Sequence, residues 1–308
     1  MTSGAVLLVA GFVLAGGGGE LFVRGLLRIA RWSGIAPGVV AITVAAFATS
    51  APELSVSVSA ALDGRPRIGL GDAIGSNVVN VALVFAIALA VGPITVGRGS
   101  VGRDFSVALL APILSALLIA DGELSRTDGI LLIALFLAWL VLAIRGGANS
   151  RNAAGDGVER GSPYLALLFC LIGFGLLIGA GRFIVLGGVA VGQTLGLSPF
   201  ATGAAIVALG TSMPELATAI IAGLRGHRDI GLGTILGSNI FNGLLIVPLV
   251  AIIHPVEIVS ANIAIALGFG ALAVALIYPW QGVIQRGRFP VLLILYIAFL
   301  LVMAESPL

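Results

Sequence analysis

Several residue types that build soluble catalytic or redox sites are scarce in this sequence. Cysteine occurs once, as Cys170, lysine does not occur, and histidine occurs twice. A single cysteine excludes an internal disulfide and a cysteine-rich metal cage. The two histidines, His227 and His254, belong to no HExxH motif or Ser/His pair, so the sequence argues against an intramembrane hydrolase. We therefore expect the protein not to be an enzyme.

Charge is also scarce, and apolar residues take its place. Charged residues make up 10% of the chain and hydrophobic residues 59%, whereas soluble domains have about 25% and 45–50%. This composition predicts an all-α integral membrane protein. Windows of about 19 residues predict about ten transmembrane helices, near 4–26, 36–62, 68–92, 103–120, 127–144, 162–187, 198–224, 230–253, 260–279 and 289–304.

The basic residues indicate how the chain crosses the membrane. All 16 of them are arginine, and most lie in short loops. If the amino terminus is outside, the loops on the inner side contain most of the arginines, whereas Arg65, Arg67, Arg126 and Arg182 fall outside. Since inner loops are enriched in positive charge, we expect a multi-pass protein of the cell membrane with both termini outside the cytoplasm. The net charge of +2 then reflects topology, and no nucleic-acid partner is expected.

The sequence contains an internal duplication. TSAPEL at 49–54 recurs as TSMPEL at 211–216, and GLGDAIGSNVVN at 69–80 recurs as GLGTILGSNIFN at 231–242. Both motifs recur at the same offset of 162 residues. In the alignment of 31–80 with 193–242, about 19 of 50 residues are identical, which indicates two copies of one unit.

A polar segment separates the two copies. We predict a first five-helix half at 1–144 with its repeat at about 36–92, a cytoplasmic linker at 145–162, and a second half at 163–308 with its repeat at about 198–253. Because each half has an odd number of helices, the halves are expected to be inverted relative to each other. This is the plan of many secondary transporters, whose site lies near the membrane midplane where the repeats meet.

Each repeat places a proline inside an apolar helix. Pro52 and Pro214 each remove a backbone donor, so the helices are predicted to kink or unwind around Thr49 and Thr211. Irregular backbone at this depth survives only inside protein or beside a polar cavity. A hard cation is a suitable partner for the freed carbonyl oxygens.

A carboxylate follows each proline directly. A charged side chain at the membrane centre costs about 2.5–3.5 kcal/mol and usually marks an ion or proton path. Glu53 and Glu215 occupy equivalent positions of the two repeats. We therefore predict that both belong to a cation site.

The second motif of each repeat adds neutral oxygen atoms. Ser76 and Asn80 lie one helical turn apart, and Ser238 and Asn242 repeat this spacing. Hydroxyl and amide oxygens can complete a coordination shell without adding charge.

The sequence leaves the roles of three further polar residues open. Asn77 and Asn239 point about 100° away from the serines, so direct ligation and support of the ligands both stay open. Asp72 lies one turn before Ser76, and its counterpart in the second repeat is Thr234. It is a candidate third carboxylate at the mouth of the site.

The paired motifs resemble the cation/calcium exchanger superfamily, and within it the prokaryotic sodium/calcium exchangers. AFATSAPELSVSV with GDAIGSNVVN is similar to the first repeat of that family, and VALGTSMPELATAI with GTILGSNIFN is similar to the second. The resemblance implies ten helices in two inverted halves, with ions bound between the second, third, seventh and eighth helices.

The resemblance also implies a role for each candidate residue. Glu53 and Glu215 would be the carboxylates shared by calcium and sodium, beside the hydroxyls of Ser76 and Ser238 and the carbonyls of Thr49 and Thr211. The remaining implied residues are Asn80 and Asn242 at the centre, and Ser50, Ser212, Ala46 and Ala208 at outer sodium positions.

The predicted function is sodium/calcium antiport by alternating access, performed by a single chain in membrane lipid without a cofactor. The alternative is exchange of protons for calcium or another divalent cation, in which the same glutamates carry protons. The repeats lack the additional acidic and histidine residues of proton-coupled relatives, which favours sodium. Manganese stays open as a cargo because oxygen ligands accept both metals.

Overall fold

The computed structural model describes residues 2–32, 43, 46–96, 101–148, 163–224, 228–258, 261–279 and 282–305. Most of the predicted linker and the start of the first repeat, at 36–42, lie outside the described residues. The same is true of four arginines assigned above to the inner side, and of His227. The four are Arg98, Arg151, Arg160 and Arg225.

The described residues before 149 form seven α-helices. They are α1 (Thr2–Trp32), α2 (Ala46–Thr49), α3 (Ala51–Leu62), α4 (Pro66–Val78), α5 (Ala86–Val91), α6 (Val101–Leu118) and α7 (Arg126–Ala148). A π-helical segment, Val79–Phe85, joins α4 to α5, and a 3₁₀ turn, Ile119–Asp121, follows α6.

From residue 163 the helices recur in a similar order. They are α8 (Pro163–Thr194), α9 (Pro199–Ala201), α10 (Ala208–Thr211), α11 (Met213–Leu224), α12 (Arg228–Phe241), α13 (Val247–Ile253), α14 (Asn262–Leu276) and α15 (Phe289–Ala304). π-Helical segments at Thr202–Val207 and Asn242–Ile246 join α9 to α10 and α12 to α13, and a 3₁₀ turn at Arg286–Arg288 precedes α15. The π-helical segments after α4 and α12 both include the repeat asparagine, Asn80 or Asn242, and such segments are frequent at functional sites.

The prediction of an all-α fold omitted the four strands of two residues each that the described part of the chain contains. β1 (Ile94–Thr95) pairs antiparallel with β4 (Val283–Ile284), and β2 (Glu123–Leu124) pairs antiparallel with β3 (Val256–Glu257). Two residues are too few to show the alternation that predicts a strand. Each pair joins a segment from before residue 149 to one from after residue 163, so the ladders tie the two parts of the chain together.

Seven helices among the described residues are long and apolar enough to cross a membrane. The number becomes eight if the bent pair Pro199–Thr211 and Met213–Ile220, which meet at 41°, forms one span. Helix α14 is apolar but shorter. The predicted number of ten therefore remains a prediction. The seven are Ser3–Phe22, Pro66–Ala90, Arg103–Asp121, Arg126–Arg145, Pro163–Thr194, Gly231–Ile253 and Arg286–Ala304.

Burial divides these seven spans into two groups. Pro66–Ala90 and Gly231–Ile253, which contain the second motif of each repeat, are 83% buried, whereas the other five are 24–39% buried. The outer spans expose large apolar side chains such as Val13, Leu117 and Ile294, as lipid contact requires. The protein is a multi-pass membrane protein whose repeat helices form its centre.

Helices α1 and α8 pack together along a line of small residues, and we call them the outer pair. Glycines recur every seven residues in α1, and a Cβ atom built on each would lie 2.8–3.4 Å from a carbonyl oxygen of α8. The facing residues run in opposite order, so the helices are antiparallel, and the missing side chains allow close backbone approach. The pairs are Gly4 with Gly187, Gly11 with Ala180, Gly18 with Gly173, and Gly25 with Ala166.

Candidate cation site

The predicted helix breaks are confirmed. Helix α2 ends at Thr49 and α3 begins at Ala51, and Ser50 between them has φ −83° and ψ 7°. Ser212 separates α10 from α11 with φ −79° and ψ 7°. Pro52 lies in the first turn of α3, where its missing N–H has no helical acceptor. The two breaks therefore share one geometry.

The two predicted glutamates lie just after the breaks and are fully buried, with 0% exposure. Ser212 Oγ donates to Glu53 Oε1 over 3.4 Å, and Ser50 Oγ donates to Glu215 Oε1 over 3.4 Å. Each glutamate thus receives a hydroxyl from the break of the other repeat. The broken helices meet at the pair of carboxyl groups.

The repeat serines connect α4 and α12 to the opposite breaks. Ser238 Oγ lies 3.3 Å from Thr49 Oγ1 and donates to Glu215 Oε1 over 3.1 Å. Ser76 Oγ lies 3.4 Å from Thr211 Oγ1. The structure therefore brings together hydroxyls and carboxylates that are more than 100 residues apart in sequence.

The outer candidates lie in the same buried region. Ala46 O accepts the backbone N–H of Ser50 over 3.0 Å, and Ala208 O accepts that of Ser212 over 3.1 Å. All twelve residues proposed as ligands are at most 6% exposed. They are Glu53, Glu215, Ser76, Ser238, Thr49, Thr211, Asn80, Asn242, Ser50, Ser212, Ala46 and Ala208.

Unsatisfied polar atoms are concentrated at this site. Most buried polar atoms in proteins have a hydrogen-bond partner. Among the described residues, six buried side-chain atoms have none, and five of them are oxygens. Oxygen atoms of this kind are the ligands of hard cations. The six are Glu53 Oε2, Glu215 Oε2, Asn77 Oδ1, Asn80 Oδ1, and Asn242 Oδ1 and Nδ2.

No basic side chain neutralises the glutamates within the described part of the chain. The ion pairs found there are Glu20 with Arg24 and Arg103 with Asp104. Two ionised carboxylates cannot remain buried without a counter-charge, so the pair needs a cation or protons. No cluster of three His, Cys, Asp or Glu side chains in the described ranges could hold a metal, so a cation here would take most of its ligands from neutral oxygens.

Asn77 and Asn239 connect the repeats. Asn77 Nδ2 donates to the Asn239 carbonyl over 3.3 Å, and Asn239 Nδ2 donates to the Asn77 carbonyl over 3.1 Å. Asn80 Nδ2 adds a bond to Asn239 Oδ1 over 3.2 Å. We call this reciprocal pair the asparagine clamp. Of the two roles left open above, these bonds favour support of the ligands over ligation.

Asp72 is enclosed rather than placed at the mouth of the site, because its exposure is 0%. Its Oδ1 accepts a hydrogen bond from Thr211 Oγ1 over 2.9 Å, and its Oδ2 accepts one from Ser57 Oγ over 3.1 Å. The sequence analysis missed Ser57, whose counterpart in the second repeat is Ala219. The first repeat has Ser57 and Asp72 where the second repeat has Ala219 and Thr234. This paired difference between the repeats was the signal in the sequence that could have identified Ser57 as a partner of Asp72.

A cavity of about 580 Å³ lies apart from these groups. Its lining includes Arg65, Arg67, Thr202 and His254, and none of the candidate ligands. Ile68 in its wall is one helical turn before Asp72. The candidate site is therefore closed, with this cavity one turn away along α4.

Comparisons with known proteins agree over nearly the whole chain. A sequence profile described as sodium/calcium exchanger protein matches residues 3–145 and 165–304. CaxA of Alkalimonas amylolytica, provisionally named an antiporter, is 34% identical over 83% of this chain and 82% of CaxA. The sodium/calcium exchanger MaX1 of Methanosarcina acetivorans is 25% identical over 98% of this chain and 99% of MaX1.

The fold has a solved counterpart as well. A structure of the sodium/calcium exchanger from Methanococcus jannaschii matches with a TM-score of 0.68 and 27% sequence identity, over 96% of this chain and 97% of that one. The likeness in sequence and in fold therefore extends through both repeats.

Proposed function

The chain belongs to the sodium/calcium exchanger family, a family of membrane exchangers rather than enzymes, and we propose that it exchanges sodium for calcium by alternating access. Antiport of a cation against calcium follows from the family. Sodium as the coupling ion is the part that we propose.

One observation carries the proposal: two fully buried carboxylates, Glu53 and Glu215, have no basic partner among the described residues and each has an unsatisfied oxygen. Two negative charges match one calcium ion. The unsatisfied Oδ1 atoms of Asn80 and Asn242 supply neutral ligands, and calcium takes 6–8 oxygens in flexible geometry. We assign these four side chains to a shared central site.

Sodium is assigned to positions beside the breaks. There the candidate ligands are neutral oxygens, and both breaks carry the same residue types in the same geometry. Together with the shared glutamates they would bind monovalent ions. The residues are Thr49, Ser50, Ala46 and Ser238 at one break, and Thr211, Ser212, Ala208 and Ser76 at the other.

In this proposal the helices move only when cations occupy the site. Without a bound cation, the two carboxylates would be ionised and shielded from water. The desolvation penalty makes this state unfavourable. Sodium and calcium would compete for the same oxygen atoms. The site would therefore release one kind of ion only when the other kind replaces it. This competition provides the coupling that an antiporter requires.

For the architecture we propose ten helices in two inverted halves, 1–144 and 163–308, joined by the linker 145–162, with both termini outside and one chain as the working unit. The antiparallel packing of α1 against α8, which are equivalent by the repeat offset, supports the inversion. The outer pair would slide past the remaining helices to expose the site alternately.

Uptake of calcium-45 into proteoliposomes tests the proposal. Vesicles loaded with sodium and diluted into sodium-free buffer should accumulate calcium, and a pH jump without a sodium gradient should produce none. Uptake that follows only the pH jump would assign protons as the coupling ion. Absence of uptake under both gradients would reject calcium as the cargo, and the same assay with manganese would then identify the alternative.

A further inference from the structure

The cavity of about 580 Å³ beside the candidate site has the composition of a small-molecule site. Such sites measure about 300–1,000 Å³ and combine an apolar wall with a few polar groups. Here the apolar wall includes Val189, Leu197 and Val256, and the polar groups include Arg65 and Arg67. None of the candidate cation ligands lines the cavity, so its occupant would be distinct from the exchanged ions.

A rigid turn presents the two arginines to the cavity. Gly64 has φ 71°, a conformation that favours glycine. The backbone N–H of Arg65 donates to Ala60 O over 2.8 Å, and that of Gly64 donates to Ala61 O over 3.2 Å. These two bonds form the Schellman pattern of a helix end. Arg67 follows in the first turn of α4, so both arginine side chains extend from a fixed backbone.

No carboxylate of the described residues forms an ion pair with either arginine, because the ion pairs found there involve Arg24 and Arg103. Arg67 Nη2 donates to the backbone carbonyl of Glu257 over 3.2 Å rather than to its carboxylate. The side chain of Arg65 is exposed and makes no hydrogen bond with a described residue. Glu257 also lines the cavity. Two guanidinium groups against one carboxylate leave a net positive charge in the lining.

The fold that the repeats share does not require this positive charge. At the repeat offset, Arg65 corresponds to His227 and Arg67 to Asp229, so the pair of guanidinium groups is present in one repeat only. Both arginines also belong to the few that we expect outside the cytoplasm, where the topology of membrane proteins does not favour positive charge. A bound anion is the better explanation for their presence.

We propose that this cavity binds a phosphate group. The planar fork of arginine matches phosphate oxygens, and two guanidinium groups match the charge of about −1 to −2 that a phosphate carries. Gln193 and His254, which also line the cavity, can donate further hydrogen bonds. The phosphate comes either from solution or from the headgroup of an anionic phospholipid, since the cavity lies at helix ends, the level at which headgroups lie.

A bound phosphate would connect the outer pair to the central helices. Val189 and Gln193 lie on α8, whereas Arg65 and Arg67 lie at the start of α4. The occupant would therefore oppose the sliding of the outer pair, and exchange should slow when the cavity is filled. This consequence rests on the proposed function, whereas the binding of phosphate does not.

Thermal unfolding of the full-length protein in calcium-free detergent tests the binding. Potassium phosphate should raise the unfolding temperature more than potassium chloride of equal ionic strength. The double variant Arg65→Gln/Arg67→Gln should need about tenfold more phosphate for the same shift, and the two single variants replace it if it does not fold. Arg126→Gln is the matched control, because Arg126 donates to Ile252 O nearby over 3.0 Å but does not line the cavity.

A second arm separates a lipid headgroup from phosphate in solution. Mixed micelles containing phosphatidylglycerol should stabilise the unaltered protein and Arg126→Gln more than micelles containing phosphatidylcholine if the source is a lipid, and the double variant should lose this difference. Stabilisation by potassium phosphate alone would identify phosphate in solution as the source. Equal stabilisation of the unaltered protein and the double variant would overturn the proposal, as would the absence of stabilisation by either source.

Calcium-45 uptake into proteoliposomes tests the consequence for transport. The source that stabilises the protein should slow sodium-driven uptake by about twofold or more in the unaltered protein, and by less in the double variant. Calcium is kept low so that it does not precipitate with phosphate. Binding without any change in uptake would reject the connection between the outer pair and α4. If the unaltered protein shows no sodium-driven uptake, the proposed function fails instead, and thermal unfolding still decides whether the cavity binds phosphate.

Discussion

The contact between α1 and α8 differs in kind from the contact between α4 and α12. Helices α1 and α8 approach because side chains are missing along their contact line. Helices α4 and α12 are connected by the asparagine clamp and lie around buried carboxylates. Small residues permit proximity without polar bonds, whereas polar bonds hold atoms at defined distances. The difference suits the movement that we propose, in which the outer pair slides as one body against a centre that keeps its geometry.

The largest expected effect comes from removing charge at the centre. Glu53→Gln or Glu215→Gln leaves one negative charge for a divalent ion, so calcium uptake should fall by roughly a hundredfold or more. Glu20→Gln is the control, because Glu20 lies in the outer pair with its side chain 60% exposed. Near-normal uptake in either buried variant would contradict the assignment of the site.

A second substitution tests the packing of the outer pair. A Cβ atom at Gly18 would lie 2.8 Å from Leu176 Cβ and 3.0 Å from Gly173 O, so Gly18→Leu should force α1 and α8 apart. We expect a loss of about 1–3 kcal/mol in stability, measured as a lower unfolding temperature. Gly17→Leu is the matched control, since a Cβ there meets nothing within 4 Å. Equal destabilisation by both would show that the contact line does not hold the pair together.

The asparagine clamp should have a smaller and cooperative effect. Asn77→Ala removes one bond, whereas Asn239→Ala removes two, because Asn239 Oδ1 also accepts from Asn80 Nδ2. Each variant leaves a carbonyl without its donor, and each lost bond should cost about 0.5–1.5 kcal/mol. Because the two bonds share the same two residues, the double variant should lose less stability than the two single losses together. Unfolding of the three variants in detergent measures this coupling. Strict additivity would mean that the two side chains act independently.

The smallest effect is expected where the two regions touch. Ser55 Oγ on α3 donates to the Leu177 carbonyl on α8 over 2.6 Å. Ser55→Ala should leave half-saturation by calcium unchanged and alter the turnover rate by about twofold to threefold, since it loosens a contact that slides in the proposed mechanism. Ser59→Ala on the same helix is the control. A change in calcium affinity would place Ser55 in the site rather than at its boundary.

From the sequence we could predict the residues of the candidate site, but not most of the hydrogen bonds and helix contacts around them. Glu53 and Glu215 were recognisable because the same motif recurs at one offset, and Pro52 explained the break beside Thr49. The partner of Asp72 was not predictable, because helical spacing places a side chain on a face but does not identify the facing helix. The glycine period of α1 was also missed, since glycines in an apolar helix resemble ordinary packing residues until their partner is known.

The sequence by itself determined that the protein is a membrane protein, that it contains a duplication, and that each copy combines a proline-broken helix with a carboxylate. These features depend on composition, periodicity and the covalent geometry of proline, all of which are local. Only the tertiary structure decided that each break supplies a hydroxyl to the glutamate of the other repeat, that the asparagines bond each other, and that Thr211 donates to Asp72. Such contacts join residues more than 100 positions apart, and their distances depend on how the packed helices are placed relative to one another.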